Sequence, residues 1–306
     1  MNIRPLDLLD LPTLYRYRSE VISLDTARQL TRGNPLGAIG LMAYLNPDRH
    51  IYSAIASENG EILLGGISQT NGDLFAKLLY LTPATQLAHP GLTALVEHLA
   101  AEAGEWGSFH ILAEVDETSE AFPALRRAGF SVYAWQRIWD LSTVKTPEPA
   151  ERWRKISSVN LPSIQSLHHQ IVPPLLQPIE PAPRRASGLI CPEGARCYIS
   201  LSSGMAGILL TPLIHPEATD VPQKIAGLLN HLPHRRNRPV YLCVRSYQAW
   251  LEPALADLGA TASQRQAVMV KHLARVIKDE QIARATQRAT VMPASRISRI
   301  EPKREK

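Results

Sequence analysis

The pattern of apolar and polar positions changes period several times along the chain, and each change marks an element. Asn2–Pro5 reads as a short opening strand. After it, Leu8, Leu11, Leu14 and Tyr15 recur at helical spacing and predict a helix over Asp7–Arg18. Ile51–Ser57 and Glu61–Thr70 read as two strands joined at Glu58-Asn59-Gly60, where Asn-Gly supplies the positive φ of a tight hairpin. Asn71-Gly72 marks a second such turn, ahead of a strand over Leu74–Leu81. Leu92, Leu95, Val96 and Leu99 return to the helical period and predict a helix over Leu92–Ala103. A strand over Phe109–Val115, a helix over Glu120–Ala128 stopped by Gly129, and an aromatic-rich strand over Val132–Leu141 follow. A similar ending returns later: a helix near Val221–Leu232, a strand over Val240–Arg245, a helix over Tyr247–Leu258, Gly259, and a strand over Gln264–Leu273. Between the two endings, Pro173–Arg185 is Pro-rich and reads as irregular.

The recurrence extends to the residues themselves. Residues 3–12 read Ile-Arg-Pro-Leu-Asp-Leu-Leu-Asp-Leu-Pro, and residues 153–162 read Trp-Arg-Lys-Ile-Ser-Ser-Val-Asn-Leu-Pro. Arg4, Leu11 and Pro12 meet Arg154, Leu161 and Pro162, and Asp10 meets Asn160, both residue types that favour a helix N-cap. Pro123-Ala-Leu-Arg-Arg-Ala-Gly-Phe130 likewise meets Pro253-Ala-Leu-Ala-Asp-Leu-Gly-Ala260. Two matches in the same order predict two copies of one unit. The first spans residues 1–141 and the second, shorter one 151–274. Ser142–Ala150 is a polar, Pro-bearing linker, and 275–306 a disordered tail. The order of elements predicts a mixed α/β fold with a largely antiparallel central sheet flanked by helices.

Charge changes this picture only at its end. The net charge is +5, and Arg275–Lys306 carries nine Lys/Arg against four Asp/Glu, so the rest of the chain is close to neutral. The basic tail is a candidate arm for nucleic acid or an acidic partner, but the charge gives the folded body no such role. Apolar runs fall short of the roughly 18–20 residues that span a bilayer, and the N-terminus lacks the pattern of a signal peptide, so a cytoplasmic protein away from membranes is expected. Three cysteines, Cys191, Cys197 and Cys243, do not make a disulfide framework. His168-His169 and His231-x-x-His234 lack a carboxylate or thiolate placed to complete a metal shell, so no metal is expected.

The opening Ile-Arg-Pro-Leu…Asp-Leu-Pro and the closing Ala-Leu-Arg-Arg-Ala-Gly-Phe-Ser-Val-Tyr resemble the GNAT superfamily of acyl-CoA-dependent N-acetyltransferases. The resemblance covers nearly all of residues 1–141 and, more faintly, 151–273. It implies two tandem GNAT-like domains, acetyl-CoA or another acyl-CoA as co-substrate, and a small-molecule or peptide amine as acceptor. In that family a Gln/Arg-x-x-Gly-x-Gly/Ala loop opens the helix after the fourth strand, and amides at the helix start bind the CoA pyrophosphate. Here the loop falls at Gln86-Leu87-Ala88-His89-Pro90-Gly91, with Leu92 beginning the helix. Gln86 and Gly91 match; His89 stands where the first Gly belongs, and Pro90 lacks an amide donor. The matching stretch of the second copy, His215–Val221, contains no Gly and carries Glu217 and Asp220.

Many family members use a Tyr as general acid four residues before the Gly of the penultimate turn; here those positions are Leu125 and Leu255, so both motifs are degenerate. Tyr133 and Tyr80 are alternative acids on neighbouring strands. Glu114, at the end of its strand, is the candidate base that accepts the proton of the attacking amine, with Asp116 and Glu61 behind it. Two readings stand at this point. In one, the first copy transfers an acyl group to an amine. In the other, the fold is kept without the chemistry, as a CoA-sensing or protein-interaction module.

Overall fold

The strands of both copies run into one sheet. The computed structural model describes residues 2–37, 49–58, 60–145, 153–191, 196–232 and 238–273. The first half contributes β1 (Asn2–Pro5), α1 (Leu11–Arg16), β2 (Ile22–Ser23), α2 (Thr26–Arg32), β3 (Arg49–Glu58), β4 (Glu61–Thr70), β5 (Phe75–Thr82), α3 (Gly91–Glu105), β6 (His110–Asp116), α4 (Ala121–Arg127) and β7 (Ser131–Asp140). The second contributes β8 (Arg154–Lys155), α5 (Leu161–Ile171), β9 (Leu189–Ile190), β10 (Cys197–Ser203), β11 (Ile208–Ile214), α6 (Val221–Leu228), β12 (Val240–Arg245), α7 (Leu251–Asp257), β13 (Thr261–Ala262) and β14 (Gln266–His272). Most pairings are antiparallel; β5/β6 and β11/β12 are parallel.

The repeat has a physical counterpart. Asp10 accepts a bond from the Asp7 amide at 2.9 Å, and Asn160 accepts one from the Ser157 amide at 3.0 Å. Both side chains therefore close the 3-10 turn that precedes their helix. They do not cap the helix that follows, which the sequence pattern had suggested for them. For Asp10 the reason is Arg4, which donates to both carboxylate oxygens at 2.6 and 2.7 Å. Gly129 and Gly259 end α4 and α7 at φ +87° and +79°, a conformation that costs a residue with a Cβ.

The sheet order is β1-β3-β4-β5-β6-β14-β7-β12-β11-β10-β9-β8, with β2 on β5 and β13 on β7. The two closing strands have changed places. β14 of the second half lies between β6 and β7 of the first, from Gln266↔Asp116 to His272↔His110 on one side. β7 in turn pairs with β12, from Tyr241↔Asp140 to Arg245↔Gln136. The cores follow the exchange. Ala267 and Met269 of β14 pack with Leu95, Ile111 and Phe130, while Trp139 and Leu141 pack with Leu242 and Leu255. The expected linker is also anchored at its start: Val144 is buried in the second core and Thr143 donates to the Gly259 carbonyl. Its residues 146–150, the stretch 233–237 with His234, and the tail 274–306 lie outside the described residues. All three cysteines are buried, and no helix among the described residues is long and apolar enough to cross a membrane.

Candidate functional site

The parallel ladder between β5 and β6 is short: it runs from Phe75↔His110 to Lys77↔Leu112 and stops. The cause lies on the other edge of β5. Between Gly66↔Tyr80 and Ile67↔Leu78, one extra residue, Leu79, bulges out, and a bulge bends its strand. The gap that opens between β5 and β6 is filled by the chain itself. Ile22 and Ser23 pair with Leu81 and Tyr80. The Leu24 amide then donates to the Leu79 carbonyl, and the Glu114 amide donates to the Leu24 carbonyl, both at 2.9 Å. In the second half the corresponding ladder ends at Leu210↔Leu242. Beyond it the buried Gln248 side chain accepts from the Ile214 amide at 3.0 Å and donates to the Pro212 carbonyl at 2.9 Å.

Beside the first gap lies a cavity of about 740 Å³ built from both halves. Glu114, at the end of β6, lines it. So does Tyr133, because Tyr133 is the extra residue where β7 bulges against Val268 and Met269 of β14, which re-aims its side chain. Arg245, at the end of β12, occupies the centre. Its guanidinium meets Glu114 at 3.4 Å and Glu180 at 3.2 Å and donates to the Gln136 side-chain oxygen. Glu180 comes from the Pro-rich stretch of the second half and also accepts from Tyr133 at 2.9 Å and Tyr247 at 2.6 Å. Glu114 also accepts from the Thr26 amide at 2.9 Å, at the start of α2. Side-chain exposures of 13–15% for Glu114, Glu180 and Arg245 make this a largely desolvated ion cluster.

The electrostatics follow from this packing. Burial works against the Arg245 charge, but Glu180 and the neighbouring groups outweigh it and raise its pKa well above the ordinary value. Burial raises the phenols of Tyr133 and Tyr247, and Glu180 raises them further, so both stay protonated. Burial pushes the Cys243 thiol up to about 12, which leaves it without thiolate chemistry at neutral pH. At the edge of the cluster Lys77 bonds Asp25 at 3.1 Å. Burial opposes both charges there, yet each holds the other ionised: the Asp25 carboxyl is lowered and the Lys77 ammonium raised.

The loop before α3 is self-contained. The Gly91 amide donates to His89 Nδ1 and the Leu92 amide to the His89 carbonyl, each at 3.0 Å. His89 Nε2 lies 3.0 Å from Glu61 Oε2. The His89 ring thus occupies the Gly91 amide and the main chain the Leu92 amide, and Glu61 keeps a carboxylate beside them.

No protein-family model matches the sequence, and no curated protein does. Solved structures do match. A GCN5-related N-acetyltransferase from Sphaerobacter thermophilus is 11% identical, with 90% of this chain and 97% of that one covered at a TM-score of 0.56. A tandem GNAT protein from the clavulanic acid biosynthesis pathway is 14% identical, with 90% and 99% covered at a TM-score of 0.50. The chain has the tandem GNAT fold.

Within this GNAT fold the sequence-derived residues fall into two groups. Glu114 and Tyr133 share the cavity between the halves; Gln86, His89, Gly91 and Leu92 stand at the start of α3 and do not line it. Tyr80 is buried in the core with its hydroxyl on Ser53, and Leu125 and Leu255 are fully buried. Among the cavity residues that escaped the sequence reading are Asp25, Lys77, Glu180 and Arg245. Two carried a visible signal. Asp25 before Thr26 is a helix start, and its side chain does accept from the Arg28 amide. Glu180, between Pro178 and Pro181, is a lone carboxylate in a rigid stretch.

Proposed function

We propose that this protein is an acyltransferase of the tandem GNAT type that transfers an acyl group from acyl-CoA, through its first half, to an amine bound in the cavity between the halves. The observation that carries the reading is the convergence of Glu114 and Tyr133 on one desolvated cavity in this fold. A carboxylate offers about four lone-pair sites. Thr26 and Arg245 take two of those on Glu114, so acceptor capacity remains for an amine proton. As the amine nitrogen bonds to the thioester carbonyl carbon, its proton passes to Glu114; the carbon–sulfur bond then breaks, the departing thiolate takes a proton from solvent, and Glu114 returns its own to solvent. Tyr133 keeps its proton and orients Glu180, which in turn fixes Arg245 against Glu114.

Thiol release from acetyl-CoA across a panel of primary amines tests the reading. Glu114→Gln is expected to lower kcat by about 10²–10⁴, the usual range for loss of a general base, with little change in KM for acetyl-CoA. Unchanged kcat removes Glu114 from the role.

A specific observation favours a second reading. Leu24 already fills the β5/β6 gap and His89 already satisfies the Gly91 and Leu92 amides, which suits a protein that binds a ligand between its halves without transfer. No thiol release with any amine, together with a ligand bound in the cavity, selects that reading.

A further inference from the structure

The cavity groups divide by whether their bonding capacity is spent. Arg245 faces Glu114, Glu180 and Gln136; Glu180 accepts from Arg245, Tyr133 and Tyr247. Arg245 and Glu180 are thereby spent on their protein partners, while Glu114, met by Thr26 and Arg245, keeps acceptor capacity. Lys77 is different: it bonds Asp25 yet keeps 34% of its side chain exposed while lining the cavity. At the mouth, Arg184 donates one bond to the Gly72 carbonyl, and Arg185 beside it is exposed. Both arginines line the cavity, where they and Lys77 stand against two acids, Asp25 and Asp73, an excess of one positive charge. Open capacity at this end is therefore cationic. Leu24, Phe75, Leu112, Ile179 and Val268 supply apolar wall. Lys77 pairs in register with Leu112, two residues before Glu114 on β6, so a cationic and an anionic group stand one strand repeat apart.

We propose that the cavity selects a small molecule with an amine, a carboxylate or phosphate close to that amine, and an apolar body, in the manner of an apolar amino acid. The anion would sit on Lys77 and the Arg184–Arg185 pair, the amine at Glu114, and the body against the apolar wall. This rests on the acyl-transfer reading for the role of the amine, but the charge preference is measured without acetyl-CoA.

The experiment is calorimetric titration of the full chain with four probes: L-phenylalanine, 3-phenylpropionate, phenethylamine and inorganic phosphate. The expected order places L-phenylalanine first, 3-phenylpropionate next and phenethylamine last. The double variant Arg184→Gln/Arg185→Gln, at exposed positions that leave the fold intact, should weaken L-phenylalanine and 3-phenylpropionate by roughly tenfold or more and leave phenethylamine unchanged. Phosphate should bind weakly and lose its binding in the same variant. Phenethylamine binding as tightly as L-phenylalanine overturns the proposal, and so does the absence of binding by every probe up to about 10 mM. L-phenylalanine bound without turnover would sink the transfer reading and keep this one. Turnover of phenethylamine with no gain from a carboxylate would do the reverse.

Discussion

Arg245 reaches from β12 of the second half to Glu114 of the first, and Glu180 closes over it from the Pro-rich stretch. Removing its charge strands two carboxylates in a site of low polarity, which is costlier than the pair's own net contribution. Arg245→Met is therefore expected to destabilise the protein by ~3–5 kcal/mol, measured by urea unfolding, even though methionine fills much of the volume. A loss below ~1 kcal/mol would mean that water reaches the cluster. At this scale the sequence was partly legible. Glu114 was named for its place at the end of a strand and Tyr133 as an alternative acid on a neighbouring strand, and both line one cavity. Arg245 and Glu180 did not, since nothing local marks ion pairs formed between residues 65 to 131 positions apart. Asp10 was misread for a related reason: its type suits a helix cap, but Arg4 draws it backward.

The elements were the most legible level. β1, β4 and β12 have the bounds that alternation and turn residues suggest, and the helix stops at Gly129 and Gly259 are where the pattern put them. Three features were not readable. β2 is two residues long, too short for a periodic signal. The middle strands β9 to β11 of the second half carry no turn motif as plain as Asn-Gly. The exchange of β7 and β14 is invisible because alternation fixes which face a strand buries but not which neighbour it takes. That exchange has a direct consequence. A chain ended after Gln264 loses β14 and with it the partner of both β6 and β7, so the first half should fail to fold along with the second. A chain ended after Leu273 should melt within a few degrees of the full-length protein, because Met1–Leu273 forms one compact unit. Circular dichroism melts of the two truncations decide this, and a folded first half in the shorter chain would contradict the sheet order.

Across the whole molecule, the exchanged strands join two similar halves around one ion cluster and one cavity. Both gaps at the ends of the parallel ladders are closed by protein groups, Leu24 in one half and Gln248 in the other. Under the proposed acyl transfer, a donor that reaches Glu114 through the first gap would displace Ile22–Leu24 from β5, and one that used the Gly91 amide would displace the His89 ring. The tandem fold was legible in the sequence through the matched segments 3–12 and 153–162; the closed gaps were not, since a main-chain bond such as that between Leu24 and Leu79 has no sequence signature. The most direct test of acyl transfer is calorimetric titration of the intact protein with acetyl-CoA. The account predicts saturable binding with a Kd near micromolar, about 8 kcal/mol, that survives deletion of residues 274–306. No heat of binding up to about millimolar acetyl-CoA would contradict acetyl transfer and leave the cavity as a ligand site without that chemistry.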